Sequence, residues 1–518
     1  MGSRFTRRRF LTAGAAYLAL AGTVGCEPSE RSSMVKASRA PKVKPLQGVP
    51  YPPAGGVWDF RSRPDLHPPA VEVVTEAHED IAPGYIFIAP EKGGAGKGGS
   101  MIIDDRGQVV WFRPLRDPYG GWFRPLRGPY GRVMDFERQT YQGRDVLTWG
   151  QTPGMYVILD ASYREIASFG AANGYNGDHH EFLISPQDTA LITIYNAVPR
   201  DLTSVGGSRD SVAIQGIVQE LDILTGEVLF EWRSLDHVAL EETYVTPSED
   251  HYPGIDYFHI NSIDVEPDNN LLISARETSA VYKIDRKSGE VIWRLGGKKS
   301  DFEMGEGTRF AFQHDARRLP DGTISIFDNG SLVFENGTPR AVEESRAIVL
   351  KLDEEKMRAS LVREYTHPDK QYADAAGNMQ VLPNGNVFVG WGRGLAISEF
   401  SKDGEFLFDF RVSPEHRSYR AFRFPWSGQP SEQPAAAAER TSEDELEVYA
   451  SWNGATDVAT WEVLGGSSPG RLESLGSTPR DGFETAMLVQ TSDLYVAVQA
   501  RHHSGRVLGT STPIEAGS

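Results

Sequence analysis

The amino-acid sequence predicts an all-β fold: a six-bladed β-propeller followed by a small fibronectin-III-like β-sandwich. Three observations lead to this prediction. Gly (53 residues) and Pro (32 residues) are plentiful among the 518 residues, which is typical of chains with many turns. Short apolar strands recur in pairs around these turns. The pairs repeat at a spacing of roughly 50–70 residues, which is typical of propeller blades.

The first repeated element is an apolar strand, a turn containing Asp or Gly, and a second apolar strand. Alternation of apolar and polar residues on both sides of such a turn indicates a β-hairpin. The copies begin at Met101, Val157, Val218, Val281, Val349 and Ile397. A second hairpin, built around Pro-Asp-Gly or a similar turn, lies between them, as in residues 316–328 and 379–390. Two hairpins per repeat predict blades of four strands, six in all, over residues 57–425.

The C-terminal part is separated from these repeats by residues 426–442, whose Pro, Ser and Ala content predicts a linker. Residues 443–518 contain further short alternating strands, which predict the fibronectin-III-like sandwich.

The N-terminus predicts export. Residues 6–11 (TRRRFL) are typical of a twin-arginine signal, and the apolar stretch that follows is shorter than the roughly 20 residues of a membrane-spanning helix. Cys26, the only cysteine, lies where a bacterial lipoprotein is cleaved and acylated, although an ordinary cleaved signal remains the alternative. Residues 1–26 are therefore predicted to be a signal, and residues 27–56 a disordered tether. The expected location is the cell envelope, lipid-anchored to the outer face of the membrane, or periplasmic or secreted.

The charge and the cysteine count exclude several alternatives. The formal net charge of −18 argues against nucleic-acid binding. An anionic substrate would need a locally positive pocket against this background. A single cysteine cannot form an internal disulfide, so packing and strand pairing must hold the fold.

Three histidines occupy similar positions in their repeats. His180 and His314 each precede a proline with five residues between, and His259 lies slightly further from Pro267. Because equivalent positions of successive blades converge on the central channel, we expect the three imidazoles to share one pocket. The alternative is that each is an ordinary structural or exposed histidine.

Two neighbours add to this group. Asn261 lies two residues after His259, which on a regular strand places both side chains on one face. Arg276 ends the next strand and returns to the same end of the blade. No convincing carboxylate partner is found among these positions, although Asp178, Asp264 and Asp315 are near in sequence.

Imidazoles, an amide and a guanidinium suit an anionic, tetrahedral group. Three histidines could also bind zinc, but Arg276 would repel the cation. We therefore predict neither a metal nor a cofactor.

At these residues the sequence resembles the bacterial arylsulfate sulfotransferases that do not use the nucleotide sulfate carrier. The resemblance rests on residues 258–277 (FHINSIDVEPDNNLLISARE), 312–330 (FQHDARRLPDGTISIFDNG) and 178–192 (DHHEFLISPQDTALI). It implies a six-bladed propeller and a ping-pong reaction between an aryl sulfate donor and a phenolic acceptor.

The resemblance also implies roles for single residues. His314 would be the nucleophile that becomes sulfurylated, and His180, His259, Asn261 and Arg276 would hold sulfuryl oxygens or assist proton transfer. His179 is an alternative to His180. Where the family has a threonine, only Asn378 is found, so it is predicted to bind substrate. Two other functions stay open: a non-catalytic binding propeller at the cell surface, and a metal-dependent hydrolase or lyase.

Overall fold

The computed structural model describes residues 42–91, 96–115, 132–247, 254–330, 332–335, 338–341 and 344–516. The predicted signal with Cys26 and the first part of the predicted tether lie outside the described residues. Residues 42–518 make up one compact unit. Its helices are single turns: α1 (Ser234–His237) and the 3₁₀ turns Thr203–Val205, Leu240–Glu242, Gly392–Gly394 and Pro414–His416. None of the described helices has the length and apolarity needed to cross a membrane.

The other regular elements of the described residues are strands, paired antiparallel except for two short parallel strands, so the all-β prediction is confirmed. Two strands come first: β1 (Val43–Pro45) and β2 (Glu72–Thr75). Sheet 1 begins with β3 (Tyr85–Ile88), β4 (Gly99–Ile103) and β5 (Val109–Pro114). Sheet 2 contains β6 (Val133–Tyr141), β7 (Arg144–Gln151), β8 (Met155–Leu159) and β9 (Glu165–Gly170). Sheet 3 contains β10 (Asp178–Ile184), β11 (Thr189–Arg200), β12 (Ser211–Asp222), β13 (Val228–Arg233) and the short parallel strand β14 (Ile255–Asp256).

Three further sheets continue in chain order. Sheet 4 contains β15 (Ile260–Val265), β16 (Leu271–Ala275), β17 (Ala280–Ile284) and β18 (Val291–Gly296). Sheet 5 contains β19 (Glu303–Met304), β20 (His314–Arg318), β21 (Ile324–Asp328), β24 (Arg346–Asp353) and β25 (Arg358–Thr366), with the separate hairpin of β22 (Leu332–Glu335) and β23 (Thr338–Ala341) between its strands. Sheet 6 contains β26 (Asn378–Val381), β27 (Val387–Gly390), β28 (Ala396–Phe400) and β29 (Phe406–Arg411), and β2 pairs with its outer edge.

The six sheets close into a ring through their inner strands. The last strand of this region, β30 (Ala421–Phe424), pairs with β3 and so joins the end of the region to sheet 1. Each inner strand contacts the next, in the order β6, β10, β15, β20, β26, β30 and back to β6. Apolar residues fill the spaces between neighbouring sheets, as Val218 and Ile263 do between sheets 3 and 4. The ring brings residues distant in sequence to one axis.

Side-chain hydrogen bonds within the turns explain why the outer hairpins recur. The Asp222 carboxylate accepts hydrogen bonds from the backbone N–H groups of the next turn residues, and Gly226 closes the turn at a φ of 71°. Asp285 and Gly289 repeat this arrangement in sheet 4, with a φ of 78° at the glycine. Glycine adopts this left-handed conformation without steric cost, so the Asp-to-Gly spacing defines the hairpin.

Two C-terminal sheets enclose their own apolar core, which includes Trp461 and Val498. One contains β31 (Ala435–Ser442), β32 (Glu445–Ser451), β35 (Glu484–Gln490) and β1. The other contains β33 (Thr460–Ser468), β34 (Arg471–Pro479), β36 (Tyr495–Arg501), β37 (Val507–Thr510) and β38 (Ile514–Glu515).

Two segments predicted to lack structure form strands of this C-terminal part. Residues 435–442, within the predicted linker, form β31, and residues 43–45, within the predicted tether, form β1. The alanines of β31 are small and read as a low-complexity segment, but Ala438 is buried and Val43 fills the same core. Both are edge strands of one sheet: β31 pairs with β32 and β1 pairs with β35, and composition alone does not reveal this pairing.

Candidate functional site

A cavity of about 450 Å³ lies where the inner strands begin. Every inner strand of the ring contributes a lining residue at or near its first position: Met134, His180, His259, His314, Ala376 and Tyr419. Arg276, at the end of β16, completes the set of predicted chemical groups. The three predicted imidazoles and the predicted guanidinium come from three different sheets and line a single cavity.

The His314 imidazole is held in one tautomer. Its Nδ1 lies 2.7 Å from the Asn329 Oδ1, and the Asn329 amide nitrogen donates to the carbonyls of Ala373 (2.8 Å) and Ala376 (2.9 Å). Since those two bonds fix the amide orientation, the His314 Nδ1–H must donate to the amide oxygen. Nε2 keeps its lone pair, which accepts a hydrogen bond from the Ala376 N–H at 3.2 Å.

The surroundings keep His314 neutral. Burial, followed by the positive charge of Arg276, lowers its pKa well below the usual range, and only 1% of the residue is exposed. An imidazole that stays neutral at pH 7 keeps an unprotonated Nε2, which can act as a nucleophile once it gives up the hydrogen bond from the Ala376 N–H.

His259 has the opposite character. Its Nδ1 lies 2.6 Å from the Asp256 carboxylate. Burial disfavours the charged imidazole, but the charge and hydrogen bond of Asp256 outweigh it and raise the pKa of His259. The site therefore combines a neutral histidine with one that binds a proton more readily than usual. This division suits one group for attack and another for proton donation.

His180 packs beside His259, with ring centroids 5.1 Å apart. Its Nδ1 lies 2.5 Å from the Asp178 carboxylate, which also accepts a hydrogen bond from the His180 backbone N–H. Burial alone would raise the pKa of Asp178, but the charge of His180 and its hydrogen bond lower it overall. The ionised carboxylate orients the ring. His179, the alternative in the sequence, packs against Gly150 and is not among the described lining residues.

Arg276 is a fixed cation of the cavity. Its guanidinium lies over the Phe312 ring at 4.8 Å, pairs with Glu277 and donates to the Asp374 carbonyl at 3.2 Å. Its Nε has no hydrogen-bond partner among the described residues. A guanidinium next to a neutral imidazole can hold the oxygens of an anionic group at the point of attack.

The two predicted substrate-binding asparagines do not reach the described wall of the cavity. The Asn261 side chain is buried and donates to the Gln313 carbonyl at 2.7 Å. Regular strand alternation fails here because His259 has a φ of 53° and a β-bulge lies between residues 260 and 262. The Asn378 amide exchanges two hydrogen bonds, of 2.8 and 2.9 Å, with the backbone of Ala421, and so ties β26 to β30.

Several site residues were not found from the sequence. Asp178 and Asp256 pair with histidines, although the sequence pattern suggested no carboxylate partner. Asn329 lies in the Phe-Asp-Asn-Gly segment that carried part of the family resemblance, but its role at His314 was not anticipated. The ring of Tyr419 stands 5.2 Å from His180 and 6.1 Å from His314, so it forms an aromatic wall. The sequence did contain one signal for the two aspartates, since each lies two or three residues before the histidine with which it pairs.

Comparison with known proteins places these features in a family. The family model for Arylsulfotransferase (ASST) matches residues 137–413, more than half of the 518 residues. Those bounds include the three histidines and Arg276. No curated protein matches.

Solved structures resemble the fold only distantly. A Bacteroides caccae protein of unknown function is 13% identical, with 66% of this chain and 98% of that chain covered and a TM-score of 0.40. A streptogramin B lyase is 9% identical, with 70% and 98% covered and a TM-score of 0.31. A catalytically inactive virginiamycin B lyase from Staphylococcus aureus, with quinupristin, is 9% identical, with 69% and 95% covered and a TM-score of 0.29. These values are too low to transfer function, whereas the family match covers the site itself: the chain belongs to the arylsulfotransferase (ASST) family.

Proposed function

We propose that the protein transfers a sulfuryl group from an aryl sulfate to a phenolic acceptor through a sulfurylated His314. The observation that carries this proposal is the neutral, tautomer-fixed His314 in the same cavity as Arg276 and the carboxylate-paired His259. A metal-independent covalent route needs a nucleophile, a cation for the sulfuryl oxygens and a proton donor, and these three side chains have those properties.

In the first half-reaction, Nε2 of His314 attacks sulfur and the bond between sulfur and the aryl oxygen breaks. The imidazole ring becomes positively charged, and the Asn329 Oδ1 that accepts from Nδ1–H stabilises it. Arg276 holds the sulfuryl oxygens. Protonated His259 gives its proton to the departing phenolate, which leaves as a phenol.

In the second half-reaction, the acceptor phenol enters the same cavity. Neutral His259 takes the phenolic proton, the oxygen attacks sulfur, and the bond between sulfur and the His314 Nε2 breaks. His314 returns to its neutral form and His259 is again protonated, so the cycle balances in atoms and charge. A covalent intermediate that persists after the first product has left is the requirement of a ping-pong reaction, and sulfurylated His314 is that intermediate here.

We also propose that the six sheets are the blades of a six-bladed propeller and that the C-terminal sheets form a fibronectin-III-like sandwich. The ring of inner strands and the pairing of β30 with β3 support the first assignment. The enclosed core between two antiparallel sheets supports the second. The sequence of residues 1–26 supports export to the cell envelope, with acylation of Cys26 and a lipid anchor to the membrane.

The test of this function is release of nitrophenol from p-nitrophenyl sulfate with and without added phenol. We expect release to depend on phenol and to be unaffected by a chelator. Release that is independent of any acceptor, or abolished by the chelator, would contradict a sulfuryl transfer carried by His314.

Asn329→Ala is expected to lower kcat by about 10²-fold, because the orientation and tautomer of a reacting histidine depend on the group that accepts its second N–H. Asn329→Asp is the matched variant. Both variants lose the amide donors to Ala373 and Ala376, but the aspartate keeps an acceptor for the His314 Nδ1–H.

The aspartate variant should also show a changed pH profile. A carboxylate at this place favours protonated His314, so the acidic limb of kcat/KM should move to higher pH. If the alanine and aspartate variants lose activity equally and neither changes the pH profile, Asn329 has only a structural role.

The pH profile of kcat/KM for the donor is expected to be bell-shaped. Activity requires neutral His314, whose pKa is lowered well below its ordinary value of 6.5, so the acidic limb lies below pH 6.5. It also requires protonated His259, whose pKa is raised, so the alkaline limb lies above pH 6.5. Asp256→Asn removes the charge that raises the pKa of His259, and the alkaline limb should move to lower pH while the acidic limb stays. An unchanged alkaline limb would remove His259 from proton transfer.

A further inference from the structure

Two arginines of the same cavity share a single carboxylate. Oε2 of Glu91 lies 3.7 Å from a guanidinium nitrogen of Arg132 and 3.5 Å from one of Arg417. All three residues line the cavity with His314. Neither contact is a close hydrogen bond, so the Glu91 carboxylate interacts only weakly with each of the two guanidinium groups.

Within the described residues, Glu91 balances only one of the two positive charges of Arg132 and Arg417. Neither guanidinium has another ion pair or a side-chain hydrogen bond there, and the Arg132 Nε is buried without a partner. Arg393, which also lines the cavity, differs because Asp374 pairs with it at 3.2 Å. One net positive charge therefore remains at Arg132 and Arg417 in a protein whose formal charge is −18.

Hydrogen bonds fix the backbone at Arg132 and Arg417. The Glu91 N–H donates to the Arg417 carbonyl at 3.0 Å, and the Thr152 N–H donates to the Arg132 carbonyl at 3.0 Å. The Arg132 N–H in turn donates to the Thr152 hydroxyl at 2.8 Å. These bonds fix the backbone positions from which both guanidinium groups reach the cavity.

We propose that Arg132 and Arg417 form an anion subsite, and that the preferred substrates are aromatic compounds with a second anionic group, a carboxylate or sulfonate-like oxyanion, besides the group that is transferred. This inference rests on the proposed function for the identity of the transferred group. Tyr419, two residues after Arg417, lines the same cavity and supplies an aromatic wall beside His180 and His314. Arg276 holds the reacting sulfuryl group, and the arginine pair holds the second anion.

Binding of inert analogues tests the subsite without catalysis. Benzenesulfonate, 3- and 4-sulfobenzoate and 1,4-benzenedisulfonate carry carbon–sulfur bonds that cannot transfer a sulfuryl group. Calorimetry on the wild-type protein should give a dissociation constant about tenfold lower for the better dianion than for benzenesulfonate. The carboxylate and disulfonate arms identify which second anion is preferred. Equal affinity for mono- and dianions, or no binding of the dianions, would overturn the proposal.

Arg132→Gln and Arg417→Gln should each remove most of this preference, whereas Arg144→Gln removes the same charge from an exposed residue outside this cavity and should leave it unchanged. Retention of the preference in both cavity variants would also overturn the proposal.

Activity on p-nitrophenyl sulfate separates the proposed anion subsite from the proposed sulfuryl transfer. If the wild-type protein prefers dianions but transfers no sulfuryl group, the anion subsite is supported and the proposed function is wrong. If the protein transfers a sulfuryl group to phenol but has no preference for dianions, only the anion subsite is wrong.

Discussion

His314→Ala is expected to lower kcat for phenol-dependent release from p-nitrophenyl sulfate by about 10⁴-fold or more, the usual cost of removing the nucleophile of a covalent mechanism. The fold should persist, because the ring lines the cavity and its hydrogen bonds within the described residues are limited to three, with Asn329, Phe312 and Ala376. Steady-state rates and the thermal midpoint measure both parts of this expectation.

No neighbouring imidazole is suited to replace the lost nucleophile. Nδ1 of His259 faces Asp256, and its raised pKa favours the protonated ring, which has no lone pair to attack with. Nδ1 of His180 also faces a carboxylate, that of Asp178, rather than an amide. Only His314 combines a lowered pKa with an amide partner.

A covalent adduct distinguishes attack by His314 from a weaker, general loss of function. Wild-type protein incubated with donor alone should gain the mass of one SO₃ group, and His314→Ala should gain none. His179→Gln is the matched control, since His179 is adjacent to His180 but outside the described lining of the cavity. Retained turnover in His314→Ala, or an adduct located on another residue, would contradict the assignment.

The sequence predicted the groups whose placement depends on the repeat. His180, His259 and His314 come from equivalent inner-strand positions, and the ring of inner strands places all three against one cavity. The position of Arg276 was predictable for the same reason, because β16 runs antiparallel to β15 and ends beside the first residue of β15. Long-range position was predictable here because each repeat has the same register.

The sequence failed where the backbone departs from a regular strand. Asn261 was placed beside His259 by alternation, but the bulge and the φ of 53° at His259 turn the two side chains apart. The same irregularity recurs at Asp135 and Asp315, which have φ values of 57° and 53° in bulged inner strands. Such bulges redirect side chains toward functional sites and have no simple signature in one sequence.

The partners of the histidines were missed for a different reason. Asp178 lies two residues before His180, where a regular strand puts both side chains on one face without bringing them into contact. Asp256 lies three residues before His259, where a regular strand puts the two side chains on opposite faces. Asn329 reaches His314 across the hairpin of sheet 5, which requires the register of β20 and β21. Hydrogen-bond partners depend on local geometry, whereas the repeat fixes only which strand a residue occupies.

Arg420→Met is expected to lower the free energy of unfolding by about 3–5 kcal/mol, the usual cost of breaking a buried ion pair from one side. Arg420 is fully buried, and its guanidinium lies 2.5 Å from Asp135 and 3.2 Å from Glu181. It also donates to the Asn261 carbonyl at 2.7 Å. One side chain thus joins sheets 2, 3 and 4 to the strand that closes the ring. Methionine would leave the buried carboxylates of Asp135, Glu181 and Asp315 with Arg317 as the remaining cation of this group.

Comparison of urea unfolding at several pH values separates this charge effect from a packing defect. Burial raises the pKa of Asp135 to about 7 against the opposing charge of Arg420, so loss of Arg420 must raise it further. A folded-state pKa above the unfolded value means that ionisation costs stability as pH rises, and protonation removes that cost below pH 7. The loss of unfolding free energy in Arg420→Met should therefore shrink as pH falls from alkaline to mildly acidic values.

The control variant is Lys356→Met, which breaks the exposed pair with Asp353 and should lower the free energy of unfolding by less than about 1 kcal/mol. A deficit of Arg420→Met that is the same at every pH would mean that lost packing, rather than uncompensated carboxylates, destabilises the centre of the ring.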